Sequence, residues 1–93
     1  MRFEWDEAKR RSNLRDHKID FAAVERENIF GGETATRVDD RFEYGERRFL
    51  TLGLLKGDVI AISHTETDDV IRLISVRKAT KNEETIYFKE VKN

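Results

Sequence analysis

Two apolar runs, residues 49–55 and 59–65, are separated only by Lys56-Gly57-Asp58, and this constrains the fold more than any other feature of the chain. A short glycine-containing turn between two β-prone runs is the pattern of a β-hairpin. Thr67-Asp68-Asp69 then leads into a third run at 70–77, and three successive strands with tight turns make an antiparallel meander. Val59-Ile60-Ala61-Ile62 is apolar without alternation, so the middle of the sheet must be covered on both faces.

Helices must supply that cover. Asp6 can cap a helix over residues 7–16, with the charge of Glu7 favourable in its first turn. Ile19 and Val24 flank Asp20 as a hydrophobic staple, which starts a second helix that Gly31-Gly32 ends. Thr80-Lys81-Asn82-Glu83 is a capping box, and its helix should run to about Glu90 with Ala79, Glu83 and Tyr87 turned to the sheet. Phe3 and Trp5 alternate with charged residues as a short edge strand. With 93 residues, the expectation is one α+β domain over 1–93, two N-terminal helices and one C-terminal helix packed on an antiparallel meander.

The absence of cysteine excludes disulfides and thiolate metal sites, and two histidines make a poor zinc site, so no metal or other cofactor is expected. The acidic opening Met1-Arg2-Phe3-Glu4-Trp5-Asp6 is unlike a signal peptide, and no apolar run approaches the ~20 residues that cross a bilayer. No membrane association and a cytoplasmic location are expected. A net charge of −1 argues against gripping nucleic acid over the whole surface. The 18 Lys and Arg residues are nevertheless clustered, at Lys9-Arg10-Arg11 with Arg15 and Lys18, at Arg47-Arg48, and at Arg72, Arg77, Lys78 and Lys81, which permits a local basic face.

Two blocks carry a resemblance. Phe3-Glu4-Trp5-Asp6 followed by Lys9, Asn13, His17 and Phe21 is similar to the opening of the BrnT family of bacterial toxins. Gly45-Glu46-Arg47-Arg48, Gly53, the run Arg72-Leu73-Ile74-Ser75-Val76-Arg77-Lys78-Ala79, Glu83 and Tyr87 resemble its second signature. The departures are Glu7 where that family commonly has Pro, Asp16 and Lys18 around the histidine, and Val76 for Ala. The resemblance implies a RelE-like fold, metal-independent cleavage of RNA, inhibition of translation, and a complex with a BrnA antitoxin. It further implies that operator DNA is met only through that antitoxin.

Cutting RNA without metal takes a base for the 2′-hydroxyl, cations for the charge building on phosphate, and an acid for the leaving oxygen. Arg77 heads the candidates, because it ends a strand beside a helix start and its planar fork suits phosphate. The alternative is a plain ion pair with Glu83. His17, with an imidazole suited to proton transfer, is either an acid or base or merely a helix-end residue. His64 shares the period of Ile60 and Ile62, so it is either catalytic or a buried core histidine. Glu46 is a base or a charge that blunts a strand edge.

Lys9, Arg47, Arg72 and Lys78 are candidate RNA contacts, although Lys9 also fits a solvated helix face. Strict alternation puts Arg72 on the face of Ile74 and Val76, opposite Arg77, unless the strand bulges. Phe3 and Trp5 fit the core better than base stacking, and Tyr87 fits a packed residue whose hydroxyl reaches a rim. A non-catalytic module that only partners an antitoxin is the competing function, favoured by the net charge.

Overall fold

The computed structural model describes residues 1–40 and 45–91. In chain order these form β1 (Arg2–Glu4), α1 (Glu7–His17), α2 (Phe21–Arg26), a 3-10 turn (Ile29–Gly31), β2 (Ala35–Asp39), β3 (Arg48–Leu55), β4 (Asp58–Thr67), β5 (Val70–Lys78) and α3 (Lys81–Val91). The five strands make one sheet in the order β1-β5-β4-β3-β2. The expected meander is β3-β4-β5, antiparallel throughout, and β2 extends it antiparallel to β3. The sheet as a whole is mixed rather than antiparallel, because β1 runs parallel to β5.

Local chemistry sets the helix ends. Asp6 accepts from the N–H groups of Ala8 and Lys9 at 2.8 and 3.2 Å, and Asp20 accepts from Ala22 N–H at 3.0 Å. Lys18 closes α1 in the left-handed region at φ 62°. The second helix stops earlier than the glycines suggest: it ends at Arg26, and Asn28 at φ 51° turns the chain into the 3-10 segment. That segment crosses β3 so closely that a Cβ on Gly53 would lie 2.8 Å from the Ile29 side chain, which reserves the position for glycine.

Successive residues of β4 serve opposite cores, as its unbroken apolar run requires. Ile60 and Ile62 join Ile19, Phe21, Val24, Ile71, Leu73 and Val76 beneath α2, with Phe3 and Trp5 packed at the margin. Val59 and Ala61 join Leu50, Leu52 and Tyr87 beneath α3. Tyr87 is fully buried and its hydroxyl donates to Glu33 O at 3.0 Å.

α1 has almost no apolar face, and Asn13 is its one buried residue. Hydrogen bonds anchor it instead. The Asn13 amide donates to Ile19 O at 2.9 Å and Val76 O at 2.8 Å, while its oxygen accepts from Val76 N–H at 3.0 Å. Arg10 adds a two-point pair with Asp20 at 2.7 and 3.0 Å, which holds the Asp20 carboxyl down at about 2.

Candidate RNA-cleaving face

The residues that carry the most chemistry lie where β5 leaves the sheet. The Arg77 guanidinium meets Glu83 at two points, Nη1 to Oε1 at 2.8 Å and Nη2 to Oε2 at 3.1 Å. Glu83 also accepts from Thr80 N–H at 2.9 Å, and Thr80 Oγ1 accepts from Glu83 N–H at 3.2 Å. The capping box therefore doubles as a bracket that orients the arginine. These bonds hold the Glu83 carboxyl at about 2, Arg77 first among them, against the opposing effect of burial. A carboxylate that acidic is a poor proton acceptor.

The strand carrying Arg77 does not alternate strictly. Ser63 pairs with Ser75 but His64 pairs with Leu73, which leaves Ile74 as an extra residue on β5. The bulge reverses the phase, so Val76 joins Ile71 and Leu73 in the α2-side core. Cross-strand partners share a face, and Arg72 opposes Thr65, Ser75 opposes Ser63, and Arg77 opposes Ala61 of the α3-side core. The placement of Arg72 opposite Arg77 by strict alternation is thus corrected: both arginines and the hydroxyls between them lie on the α3 side. Their partners, Ala61 and Thr65, stand four positions apart on β4, about 13 Å along the strand. Arg72 also pairs with Glu4 at 3.3 Å.

The two histidines stand elsewhere. His64 is fully buried, edge-on to Phe30 with centroids 5.0 Å apart and stacked on Phe49 at 5.8 Å. Its Nε2 bonds Thr51 Oγ1 at 2.7 Å, and Thr51 bonds Thr36 at the same distance. Burial pushes its pKa down to about 4, against a smaller opposing pull from the Thr65 backbone. His17 is exposed at the end of α1 and lines a cavity with Lys78, so it does not share the face of Arg77. Lys9 is exposed on α1, Glu46 and Arg47 are exposed just before β3, and exposed Lys78 lies 3.8 Å from Asp58. Asn13, whose amide grips the residue before Arg77, has no role in the spacing argument. The sequence signals for it are its place in the first block of the BrnT resemblance and a helix too polar to be held by apolar burial.

Residues 5–83 match the family described as ribonuclease toxin, BrnT, of type II toxin-antitoxin system. The chain belongs to the BrnT family. No curated protein matches it. The match takes in α1, the bulge and the Arg77–Glu83 bracket, so the features above are within the BrnT region of the chain. The BrnT family is one of ribonuclease toxins, and a type II toxin implies an antitoxin protein as partner. Among the described residues, no three His, Asp or Glu side chains gather into a set that could hold a metal ion, and no helix is long and apolar enough to cross a membrane.

Proposed function

We propose that this chain is an endoribonuclease toxin that inhibits translation by cutting RNA without a metal, in the cytoplasm, and is silenced by an antitoxin of the BrnA type. On this reading residues 1–93 act as one domain of RelE-like arrangement, and operator DNA is reached only through the antitoxin. The observation that carries the proposal is the bulge at Ile74, which gives one face of β5 two arginines separated by hydroxyl side chains.

The reaction that suits this face is attack of the RNA 2′-oxygen on its own phosphorus. The P–O5′ bond breaks, and a 2′,3′-cyclic phosphate and a 5′-hydroxyl result. Arg77, its fork fixed by Glu83, has further N–H donors for the charge on the phosphorane. Arg72 is too distant for the same phosphate and holds a neighbouring one. Glu46 and Arg47 stand ahead of β3 at the Arg72 end of the sheet, so they are assigned to RNA binding there, and at Arg77 the 2′-hydroxyl proton passes to solvent while the leaving O5′ takes one from solvent. His17 and Lys9 serve RNA binding, and His64 acts through packing rather than proton transfer.

The competing reading is a binding module without catalysis, favoured by the engagement of both Arg77 Nη groups with Glu83. Incubating the purified chain with RNA in a strong chelator separates the two. Chelator-resistant cleavage that leaves cyclic phosphate ends is expected. Cleavage only with added metal overturns the mechanism, and no cleavage with tight antitoxin binding favours the module.

A further inference from the structure

Among the described residues, four cavities differ sharply in charge. Beside Tyr87 the lining carries two acids, Glu27 and Glu33; beside Leu50 one arginine meets three acids; beside Leu52 one arginine meets one acid. The fourth, about 190 Å³ at the end of the β3–β4 hairpin, carries Lys18, Lys56 and Lys78 against Asp58 alone. Its apolar lining is the half-buried Leu55, backed by Ile19 and Ile60, which are buried in the core. On a chain of net charge −1, an anion is drawn to this cavity over the other three.

The cations keep donors to spare: the Lys18 ammonium gives one of its three N–H groups to Arg15 O at 2.9 Å and retains two. The Lys78–Asp58 pair is long at 3.8 Å and mostly exposed on both sides, so solvent and salt screen it. Lys18 and Lys56 stand at positive φ, 62° and 51°, in tight chain reversals rather than on long loops. The volume is below the ~300 Å³ at which cavities enclose whole ligands, so the occupant is a fragment of something larger. A cationic rim beside an apolar floor suits one nucleotide unit of a strand, with the phosphate on the rim and the flat base on the floor. Lys78 directly follows Arg77, and consecutive strand residues face opposite sides. A strand crossing the end of β5 therefore meets both.

We propose that this cavity is a subsite for single-stranded RNA, with Lys18, Lys56 and Lys78 holding one phosphate and the half-buried Leu55 receiving the adjoining base. The proposal rests on the ribonuclease reading above and extends the substrate's path beyond the face of Arg77.

The test is binding of a short 2′-O-methyl RNA, which keeps the phosphates but lacks the nucleophile, measured by fluorescence anisotropy across a salt series. Each phosphate contact contributes about 0.7 to the slope of log affinity against log salt for a single strand. The double variant Lys56→Gln with Lys78→Gln is expected to bind about tenfold more weakly at low salt, with a slope shallower by about 1.4. Arg37→Gln, in the groove between β2 and α3, serves as the control and is expected to bind as the unaltered chain does. Unchanged affinity and slope in the double variant overturn the subsite, whether or not ordinary RNA is cleaved. Loss of antitoxin binding with RNA binding intact reassigns the cavity to the antitoxin and equally overturns it. If the unaltered chain binds no RNA, the subsite falls together with the ribonuclease reading.

Discussion

The Arg77 guanidinium and the Glu83 carboxylate form a two-point contact, at 2.8 and 3.1 Å, and the same carboxylate closes the first turn of α3 through Thr80 N–H. One acidic side chain thus ties the last strand to the last helix and aims the arginine.

The pH dependence of that tie has a definite sign. Glu83 falls from an ordinary 4.5 to about 2 in the folded chain. Its contribution is complete above the unfolded value and is lost as pH drops through 4.5 toward about 2. Glu83→Gln should cost about 2 kcal/mol at neutral pH, less than the roughly 3–5 kcal/mol of a fully buried pair because the Arg77 side chain keeps 29% exposure. Urea midpoints of the two proteins should converge as pH falls through that window; a constant gap would contradict the assignment.

His64 acts in a separate window. Folding lowers its pKa from 6.5 to about 4, so between those values the unfolded chain binds a proton that the folded chain refuses. Stability should rise with pH across that range and level off above it. A proton NMR titration in which the His64 ring titrates at or above 6.5 would contradict its burial as the neutral form.

Among the described residues, Tyr87 is the largest fully buried side chain. Tyr87→Ala should cost on the order of 3 kcal/mol or more. Tyr87→Phe should cost about 1 kcal/mol, the net value of the bond to Glu33 O. An unchanged melting temperature for the alanine variant would show that α3 does not pack on the sheet.

Asn13 bonds both backbone groups of Val76 and the carbonyl of Ile19. Asn13→Ala should cost about 3 kcal/mol, because buried backbone groups lose their partners. Asn13→Asp should rescue little of it: the second oxygen would face two carbonyls where the amide donates now. Full rescue by aspartate in thermal melts would refute this account of how α1 is anchored.

Cleavage should separate the arginine from the exposed histidine. Arg77→Ala should lose about 10²-fold or more in rate, the usual effect of removing one preorganised donor. His17→Ala should lose less than about tenfold, mainly in KM, since the 10²-fold or greater loss expected of a proton-transferring group requires reach to the reacting phosphate. A kcat loss in His17→Ala equal to that in Arg77→Ala would place both at one phosphate.

The features legible along the chain are those that local chemistry decides. The β3–β4 hairpin followed from the glycine turn at Lys56-Gly57 between apolar runs, the helix starts followed from Asp6, Asp20 and Thr80, and the meeting of Arg77 with Glu83 was open to view because both residues border one capping box. Each depends on residues only a few positions apart. Strand β2 was missed because in Ala35–Asp39 only Asp39 is buried, which leaves no apolar pattern to notice. The parallel pairing of β1 with β5 joins residues nearly seventy positions apart, Arg2 with Val70. The side of Arg72 rested on a bulge, and a bulge is a property of two strands in register, so alternation within β5 alone gave the wrong face. The distance between His17 and Arg77 was likewise decided only when α1 and α3 took their places on opposite sides of the sheet. Turns and caps are settled by neighbours along the chain, whereas register and sidedness are settled by which surfaces the assembled core can bury.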